Sequence, residues 1–276
     1  MSPEVPHVNV QNSQTLELKS RYNMTRIALL GATGSLGSHV AQQALDAGHA
    51  LSLLVRTPSK LTAEVASRAA VSTGDIVQMP TSQLADFMAG HDALISCAGL
   101  VTEGARFVDL LDRVVTAAES LPANRRPAVC WFLAGAGLLD LDDSGRCGID
   151  LPKVGGTYWP HRANLVRLQR SPIPWRLLCP GPMVQTPGLG IQRLRVSVNA
   201  LPAALPRWTK HLPGALVLPF FGARIPQMIV AYDDAAAFML AHLDPNERFT
   251  RKRVGLALPQ GMKGSKEQWA AQPREP

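Results

Sequence analysis

The amino-acid sequence predicts an α/β protein with a doubly wound, mostly parallel sheet and a small C-terminal portion. Short runs that are apolar throughout recur along the first two thirds of the chain, and helical segments separate them. Strands without a polar face are typical of parallel sheets that helices cover on both sides. The third observation is a glycine-rich stretch between the first apolar run and the first helix.

Apolar runs predict six strands of this sheet, and helical spacing predicts the helices between them. The strands are expected at 26–30, 50–55, 69–75, 92–99, 128–137 and 174–183. The helices are expected at 35–47, 82–90, 105–121 and 161–170. Prolines break the pattern after Gly181, and regular structure is expected again at 225–232, with a helix at 233–243 and a strand at 253–259.

The glycine-rich stretch is GATGSLG, residues 31–37. In a strand-to-helix crossover, Gly31 allows the tight turn, Gly34 lets a phosphate approach the backbone, and Gly37 lets the helix pack close to the strand. The N-terminus of the helix favours an anion at this place because of its N–H groups and partial positive charge. Strand, turn and helix together predict a Rossmann-like dinucleotide site, with a glycine-rich turn that binds no ligand as the alternative.

The spacing GxxGxxG resembles that of the extended and atypical branches of the short-chain dehydrogenase/reductase superfamily. The later blocks CPGPM and VGLALP are similar to NmrA-like atypical members, including fungal oxidoreductases, and the resemblance covers roughly residues 24–260. It implies that the phosphates of the dinucleotide contact Gly31, Thr33, Gly34, Ser35, Leu36 and Gly37. It also implies an adenine contact from Asp75 and a place beneath the nicotinamide ribose for Cys97, Ala98 and Gly99.

The end of the second strand decides between NAD and NADP, because an acidic residue there accepts the ribose hydroxyls and repels a 2'-phosphate. This chain has Arg56 at that end, nineteen positions after Gly37, and Lys60 follows with two hydroxyl residues between them. Two cations and two hydroxyls suit a phosphate. The sequence therefore predicts NADP(H) as the cofactor, with a solvated basic turn as the alternative.

The resemblance also implies a catalytic Ser at the end of the fifth strand and a Tyr followed four residues later by a Lys. This chain departs from the pattern, because the strand ends LAGAG and Tyr158 is followed by Arg162. Pro160 is expected to put Tyr158 ahead of the helix, so that the two residues need not share a face. His161 is the alternative proton donor, since its ordinary pKa near ~6.5 suits acid–base work, although a capping or packing histidine would also fit. The candidate catalytic residues are Tyr158, His161 and Arg162.

These assignments divide the chain into four parts. Residues 1–23 are expected to be a disordered tail, 24–180 the NAD(P)-binding core, 181–260 a substrate-binding portion that returns to the core, and 261–276 a polar tail. Between Met183 and Phe221, apolar side chains that include Trp208 and Phe220 lie among prolines. They are expected to form the wall of a pocket for a flat apolar ligand, with ordinary core filling as the alternative.

Composition limits the partners. The formal net charge is +7, but the basic residues are scattered and lack the interleaved aromatic side chains of a nucleic-acid groove. No apolar run reaches the roughly 18 residues of a membrane span. The four cysteines show no metal-ligand spacing and suit a reducing compartment. We therefore expect a cytoplasmic protein with a small-molecule substrate and without nucleic acid, membrane or metal; the oligomeric state stays open.

The sequence thus predicts an NADP(H)-dependent oxidoreductase that acts on a small apolar carbonyl or quinone compound. The resemblance to fungal relatives makes an aromatic polyketide of secondary metabolism a candidate substrate. The missing Ser and Lys leave two alternatives on the same fold. One is a catalytically weak, NmrA-like protein that senses NADP and regulates a partner, and the other is a redox-neutral isomerase.

Overall fold

The computed structural model describes residues 24–265. Its strands are β1 (Arg26–Leu30), β2 (Ala50–Val55), β3 (Ala70–Thr73), β4 (Ala93–Ser96), β5 (Val129–Leu133), β6 (Trp175–Leu178), β7 (Met183–Val184), β8 (Arg195–Val198), β9 (Val230–Ala231) and β10 (Lys252–Ala257). Eight of them form one sheet in the order β3-β2-β1-β4-β5-β6-β10-β8. Strand β8 runs antiparallel to β10, and the other pairings in this sheet are parallel. Strands β7 and β9 pair separately.

Helices cover both faces of the sheet. They are α1 (Ser35–Asp46), α2 (Ala63–Arg68), α3 (Thr81–Met88), α4 (Ala105–Ser120), α5 (Gly155–Arg170), α6 (Gly214–Arg224) and α7 (Tyr232–Ala241). Alternate residues of β1 pack on opposite sides: Ile27 and Leu29 join the core under α1 and α7, whereas Ala28 and Leu30 join the core under α3, α4 and α5. Burial on both faces explains why the strands are apolar throughout, and it confirms the doubly wound prediction.

The structure corrects the predicted elements at three places, and the first is α2, which was not expected between the second and third strands. Helix α5 begins at Gly155 rather than at residue 161, so Pro160 lies inside the helix and Tyr158 is helical. This is compatible with proline, because Pro160 stands in the second turn and removes a single backbone donor, while Tyr158 N–H already bonds to the Val154 carbonyl at 3.2 Å. The segment after Gly181, for which no regular element was expected before residue 225, contains β7, β8 and α6.

The two predicted tails fall largely outside the described part of the chain. Residues 1–23 and 266–276 are not described, so the predictions made for them are not tested. None of the described helices combines the length and the apolar character that crossing a membrane requires.

Candidate functional site

A cleft lies at the carboxyl edge of the sheet, where the strand order reverses between β1 and β4. These two strands pair in parallel, and β2 continues the sheet on one side while β5 continues it on the other. The connections that leave β1 and β4 therefore diverge to opposite faces. Open α/β sheets bind their ligands at such a switch point.

The glycine turn has the close approaches that the sequence predicts. Gly31 has a φ of +81°, and a Cβ atom built on it would lie 2.7 Å from the backbone nitrogen of Ala98. A Cβ atom on Gly37 would lie 1.9 Å from the carbonyl oxygen of Gly31. Both positions exclude any side chain, because real Cβ contacts of this kind are not closer than about 3 Å. The turn thus lies against β4, and α1 packs directly on the turn.

The first turn of α1 reads SLGS and contains no Asp or Glu. Gly34 precedes the helix with an extended backbone, and its carbonyl accepts the first intrahelical bond from Ser38 at 2.9 Å. The positive end of the helix dipole therefore faces the cleft without a carboxylate of its own in that turn. This arrangement suits the phosphates of a dinucleotide.

The cleft has a volume of about 240 Å³. Nine of the predicted cofactor residues line it, namely Gly31, Thr33, Gly34, Arg56, Lys60, Asp75, Cys97, Ala98 and Gly99. Arg56 and Lys60 are exposed, and within residues 24–265 neither side chain takes part in an ion pair. Their charges are thus free for an anionic ligand at this end of the cleft. Of the other three predicted residues, Leu36 and Gly37 are buried and Ser35 begins α1.

The sequence interpretation missed one cation in the cleft. Arg106, the second residue of α4, donates to the Asp75 carboxylate at 3.2 Å, and Asp75 also accepts the Val77 N–H at 2.9 Å. These contacts hold the Asp75 carboxylate at the wall of the cleft. Helix α4 follows β4 as α1 follows β1, so its first turn also faces the carboxyl edge; that placement was the available signal for Arg106.

A second cavity, of about 470 Å³, lies at the same edge beside β5 and β6. Its wall comes from the turn after β5, the start of α5, the turn after β6 and the end of α6, and it consists of Ala134, Gly135, Ala136, Gly137, Leu138, Ile149, Val154, Tyr158, His161, Pro180, Gly181, Pro182, Met183, Phe221, Gly222 and Ile225. Tyr158 and His161 supply the polar side chains of this wall. Of the side chains expected in the pocket wall, Met183 and Phe221 line the cavity, whereas Trp208 and Phe220 do not and pack on each other with ring centroids 5.1 Å apart.

His161 is 9% exposed and packs between two aromatic rings. Phe107 meets it edge-on at 5.6 Å between ring centroids, and Tyr158 stacks on it at 6.2 Å with an angle of 11° between the rings. Within residues 24–265, Nδ1 of His161 has no hydrogen-bond partner. Burial lowers the pKa of His161 to about 4 because it penalises the charged imidazolium. The expectation of an ordinary pKa is therefore wrong, and the imidazole is neutral at about pH 7.

Gly135, in the turn after β5, lies beside this imidazole. A Cβ atom built on Gly135 would lie 3.4 Å from Nε2 of His161. His161 therefore lies beside the turn that lacks the Ser expected from the superfamily resemblance.

The structure separates the three candidate catalytic residues. Tyr158 is 40% exposed and stands at the rim of the cavity. Tyr158 and Arg162 lie in the same helix, contrary to the expectation that Pro160 would place Tyr158 ahead of it. Nevertheless, the Arg162 guanidinium donates to Asp150 and is absent from the described lining of the cavity.

Phe107 connects the two cavities, although the sequence interpretation did not single it out. A Cβ atom on Gly99, in the cleft, would lie 2.5 Å from Cδ2 of Phe107, and the same ring contacts His161 in the second cavity. The cleft at β1 and β4 and the apolar cavity at β5 and β6 therefore adjoin across one side chain. Burial raises the pKa of the Cys97 thiol, next to this junction, to about 12, so the thiol stays protonated.

The sheet order, the glycine turn and the position of the cleft together define a dinucleotide-binding protein of the Rossmann type. Comparison with known families agrees with this class. Residues 31–207 match the NAD(P)H-binding family, and the chain belongs to it.

Solved structures with the same fold have low sequence identity to this chain. A Rossmann-fold NAD(P)-binding family protein from Shigella flexneri is 17% identical, with a TM-score of 0.59 over 88% of this chain and 98% of that one. An anaerobilin reductase from Escherichia coli O157:H7 is 17% identical, with a TM-score of 0.59 over 87% and 100%. An oxidoreductase from Lactococcus lactis is 14% identical, with a TM-score of 0.58 over 89% and 95%. At this level of identity the similarity shows a shared fold and nothing more specific.

Proposed function

We propose that this chain is an NADP(H)-dependent oxidoreductase of the atypical short-chain dehydrogenase type that reduces a small apolar carbonyl or quinone compound. The observation that carries the proposal is the apolar cavity of about 470 Å³, with two ring side chains in its wall, that adjoins the dinucleotide cleft across Phe107. The resemblance to NmrA-like fungal proteins makes aromatic polyketides of secondary metabolism the first substrates to examine. A cytoplasmic location remains part of this proposal.

The cleft fits a nicotinamide dinucleotide. Gly31 and Gly37 form a cradle that any Cβ atom would fill, and the helix behind it begins without an acidic residue. Arg56 and Lys60 would hold a 2'-phosphate, since both are exposed in the wall of the cleft and neither is paired within the described residues. This charge pattern supports NADP(H) over NAD(H).

The substrate is expected to be neutral. The described lining of the apolar cavity contains no Lys, Arg, Asp or Glu, so a carboxylate or phosphate there would lose water without gaining a partner charge. A flat ligand with one carbonyl group would bury its apolar surface and present its oxygen to the two ring groups.

A reduced nicotinamide bound in the cleft would supply a hydride for the carbonyl carbon. Tyr158 donates the proton that the carbonyl oxygen then needs, because its phenol lies at the rim of the cavity in contact with water. The neutral imidazole of His161 holds that oxygen through a hydrogen bond and orients the Tyr158 ring by stacking on it. Apolar walls exclude other water from the reacting carbon.

The test is oxidation of NADPH, followed by its absorbance, with a panel of neutral quinones, aromatic ketones and their carboxylated analogues. Tyr158→Phe and His161→Ala should each lower turnover by about 100-fold or more while NADPH affinity changes by only a few-fold. Arg162→Met is the matched change on the same helix, and it should cost less than about tenfold because Arg162 pairs with Asp150.

Two outcomes would contradict the proposal. Full turnover in both Tyr158→Phe and His161→Ala would show that the proton comes from elsewhere. Tight NADPH binding without oxidation by any member of the panel would favour an NADP-sensing regulator or a redox-neutral isomerase instead.

A further inference from the structure

Helix α6 is apolar along nearly its whole length, yet two of its eleven residues, Val217 and Phe221, are buried. Leu216 is 56% exposed, and Trp208, in the turn just before the helix, is 55% exposed. Residues four positions apart share one side of a helix. On this side Ala215, Leu216 and Pro219 are exposed, and the half-buried Phe220 packs on the ring of Trp208. We call these five residues the apolar ridge.

Basic side chains border the apolar ridge. They are Lys153, Arg207, Lys210 and Arg224, and we call them the basic border. Pro152, the residue before Lys153, lies at the start of α6, since a Cβ atom on Gly214 would be 3.3 Å from its Cδ. Arg207 precedes Trp208, and Arg224 is the last residue of the helix.

Three of the four residues of the basic border take part in no ion pair within the described residues. The sequence from 151 to 232 contains ten Lys or Arg residues and no Asp or Glu, although the whole chain has 28 and 21. Within the described residues, Lys210 pairs with Asp143 at 3.1 Å, whereas Arg207 takes part in no ion pair. Arg162, Arg167 and Arg176 of this segment pair with carboxylates from other parts of the chain. The unpaired positive charge beside the ridge, among the described residues, is therefore that of Lys153, Arg207 and Arg224.

The chemistry of this surface favours one kind of partner. An exposed apolar helix with an adjacent Trp and a rim of Lys and Arg is typical of segments that lie in the interface of an anionic bilayer. A second copy of the chain would bring like charges together around the ridge, since a two-fold interface joins the same patch on both subunits. The opposite side of α6 contributes Phe221 and Gly222 to the apolar cavity, so the ridge covers the outer wall of that cavity.

We propose that the apolar ridge and the basic border dock on the surface of an anionic lipid bilayer, with the ridge in the headgroup region. This replaces the sequence-based expectation of no membrane partner, which rested on the absence of a spanning segment. Docking needs neither cofactor nor turnover, so it does not depend on the proposed function. It places the wall of the apolar cavity at a surface where neutral apolar compounds accumulate.

Co-sedimentation of the full-length chain with vesicles tests the proposal. Vesicles of phosphatidylcholine with about 30% phosphatidylglycerol should bind the protein, and pure phosphatidylcholine should bind it at least about tenfold less, because each basic residue near the surface contributes to binding. Leu216→Glu should weaken binding to the anionic vesicles by at least about tenfold. The double change Arg207→Glu, Lys210→Glu should remove the preference for anionic lipid.

Val166→Glu is the matched control, because Val166 is an exposed apolar residue, 38% exposed, on α5 outside the ridge. It should bind vesicles as the wild type does. NADPH binding and the melting temperature of each variant show that it is folded, and they also keep this test separate from the proposed function.

Three outcomes would overturn the proposal. Failure of the wild type to sediment with either kind of vesicle would refute docking. Equal binding by Leu216→Glu and Val166→Glu would show that the ridge is not the contact. A wild-type dimer that Leu216→Glu converts to a monomer, without vesicle binding by either, would assign the ridge to self-association.

Discussion

The buried imidazole of His161 should make the stability of this protein depend on pH in a way that one substitution removes. Burial lowers the pKa of His161 to about 4, from 6.5 for an ordinary histidine. Between these two values the unfolded chain binds a proton that the folded chain does not, so the free energy of unfolding falls as the pH falls. The stability that depends on a neutral His161 is fully present above about pH 6.5, and the free energy of unfolding falls by about 2 kcal/mol when the pH is lowered to about 5.

Urea denaturation of the wild type and of His161→Leu at about pH 7 and about pH 5 measures this contribution. Leucine has no proton to bind, and the remaining histidines are present in both proteins, so their effects cancel in the difference. The wild type should lose about 2 kcal/mol more than His161→Leu between the two pH values, or about 4 to 8 °C in melting temperature. Equal losses in the two proteins would refute the reasoning, because His161 would then titrate in the fold as it does in the unfolded chain.

Three further predictions concern the cleft and its neighbourhood. By calorimetry, NADPH should bind at least about tenfold tighter than NADH, and Arg56→Asp should abolish this difference in affinity. The control Arg125→Asp, in the exposed turn before β5, should keep the difference. Equal affinities in the wild type would contradict the prediction. Gly37→Ala should destabilise the fold by about 3 kcal/mol or more, because the added Cβ atom has no room. Gly156→Ala, in open space on α5, should stabilise the fold by about 0.5 kcal/mol. Similar melting temperatures for the two variants would contradict the packing argument. Asn164→Leu should raise the free energy of unfolding by about 1 kcal/mol, because the side-chain oxygen and nitrogen of buried Asn164 have no hydrogen-bond partner within residues 24–265. A large loss of stability would show that this amide is hydrogen-bonded in solution.

The parts of the fold that the sequence predicted well depend on local signals. The run 26–30 and the stretch GATGSLG specify a buried strand, a turn with positive φ at Gly31 and a helix, and each of these needs information from a few neighbouring residues. The position of Arg56 at the mouth of the cleft follows in turn, because β2 must pair with β1 in parallel.

Other parts depend on contacts between distant segments. Helix α6 was not predicted because prolines stand at 213 and 219, although Pro213 precedes the helix and Pro219 is tolerated within it. Phe107 gains its place from Gly99 and His161, which belong to different strand–helix units. Likewise, the pKa of His161 depends on burial, and the rings of Phe107 and Tyr158 that contribute to this burial belong to two helices, α4 and α5.

The turn that lacks the Ser of the superfamily pattern and the buried His161 are neighbours, and this bears on the chemistry of the site. The turn after β5 offers Ala134, Gly135 and Ala136 where a Ser is expected, and a Cβ atom built on Gly135 would be in ordinary contact with the His161 imidazole, 3.4 Å from Nε2. A neutral imidazole that can donate one hydrogen bond therefore lies next to the turn where the superfamily has a hydroxyl. Under the proposed function, we expect the imidazole to take the place of the Ser hydroxyl as the group that hydrogen-bonds the substrate oxygen.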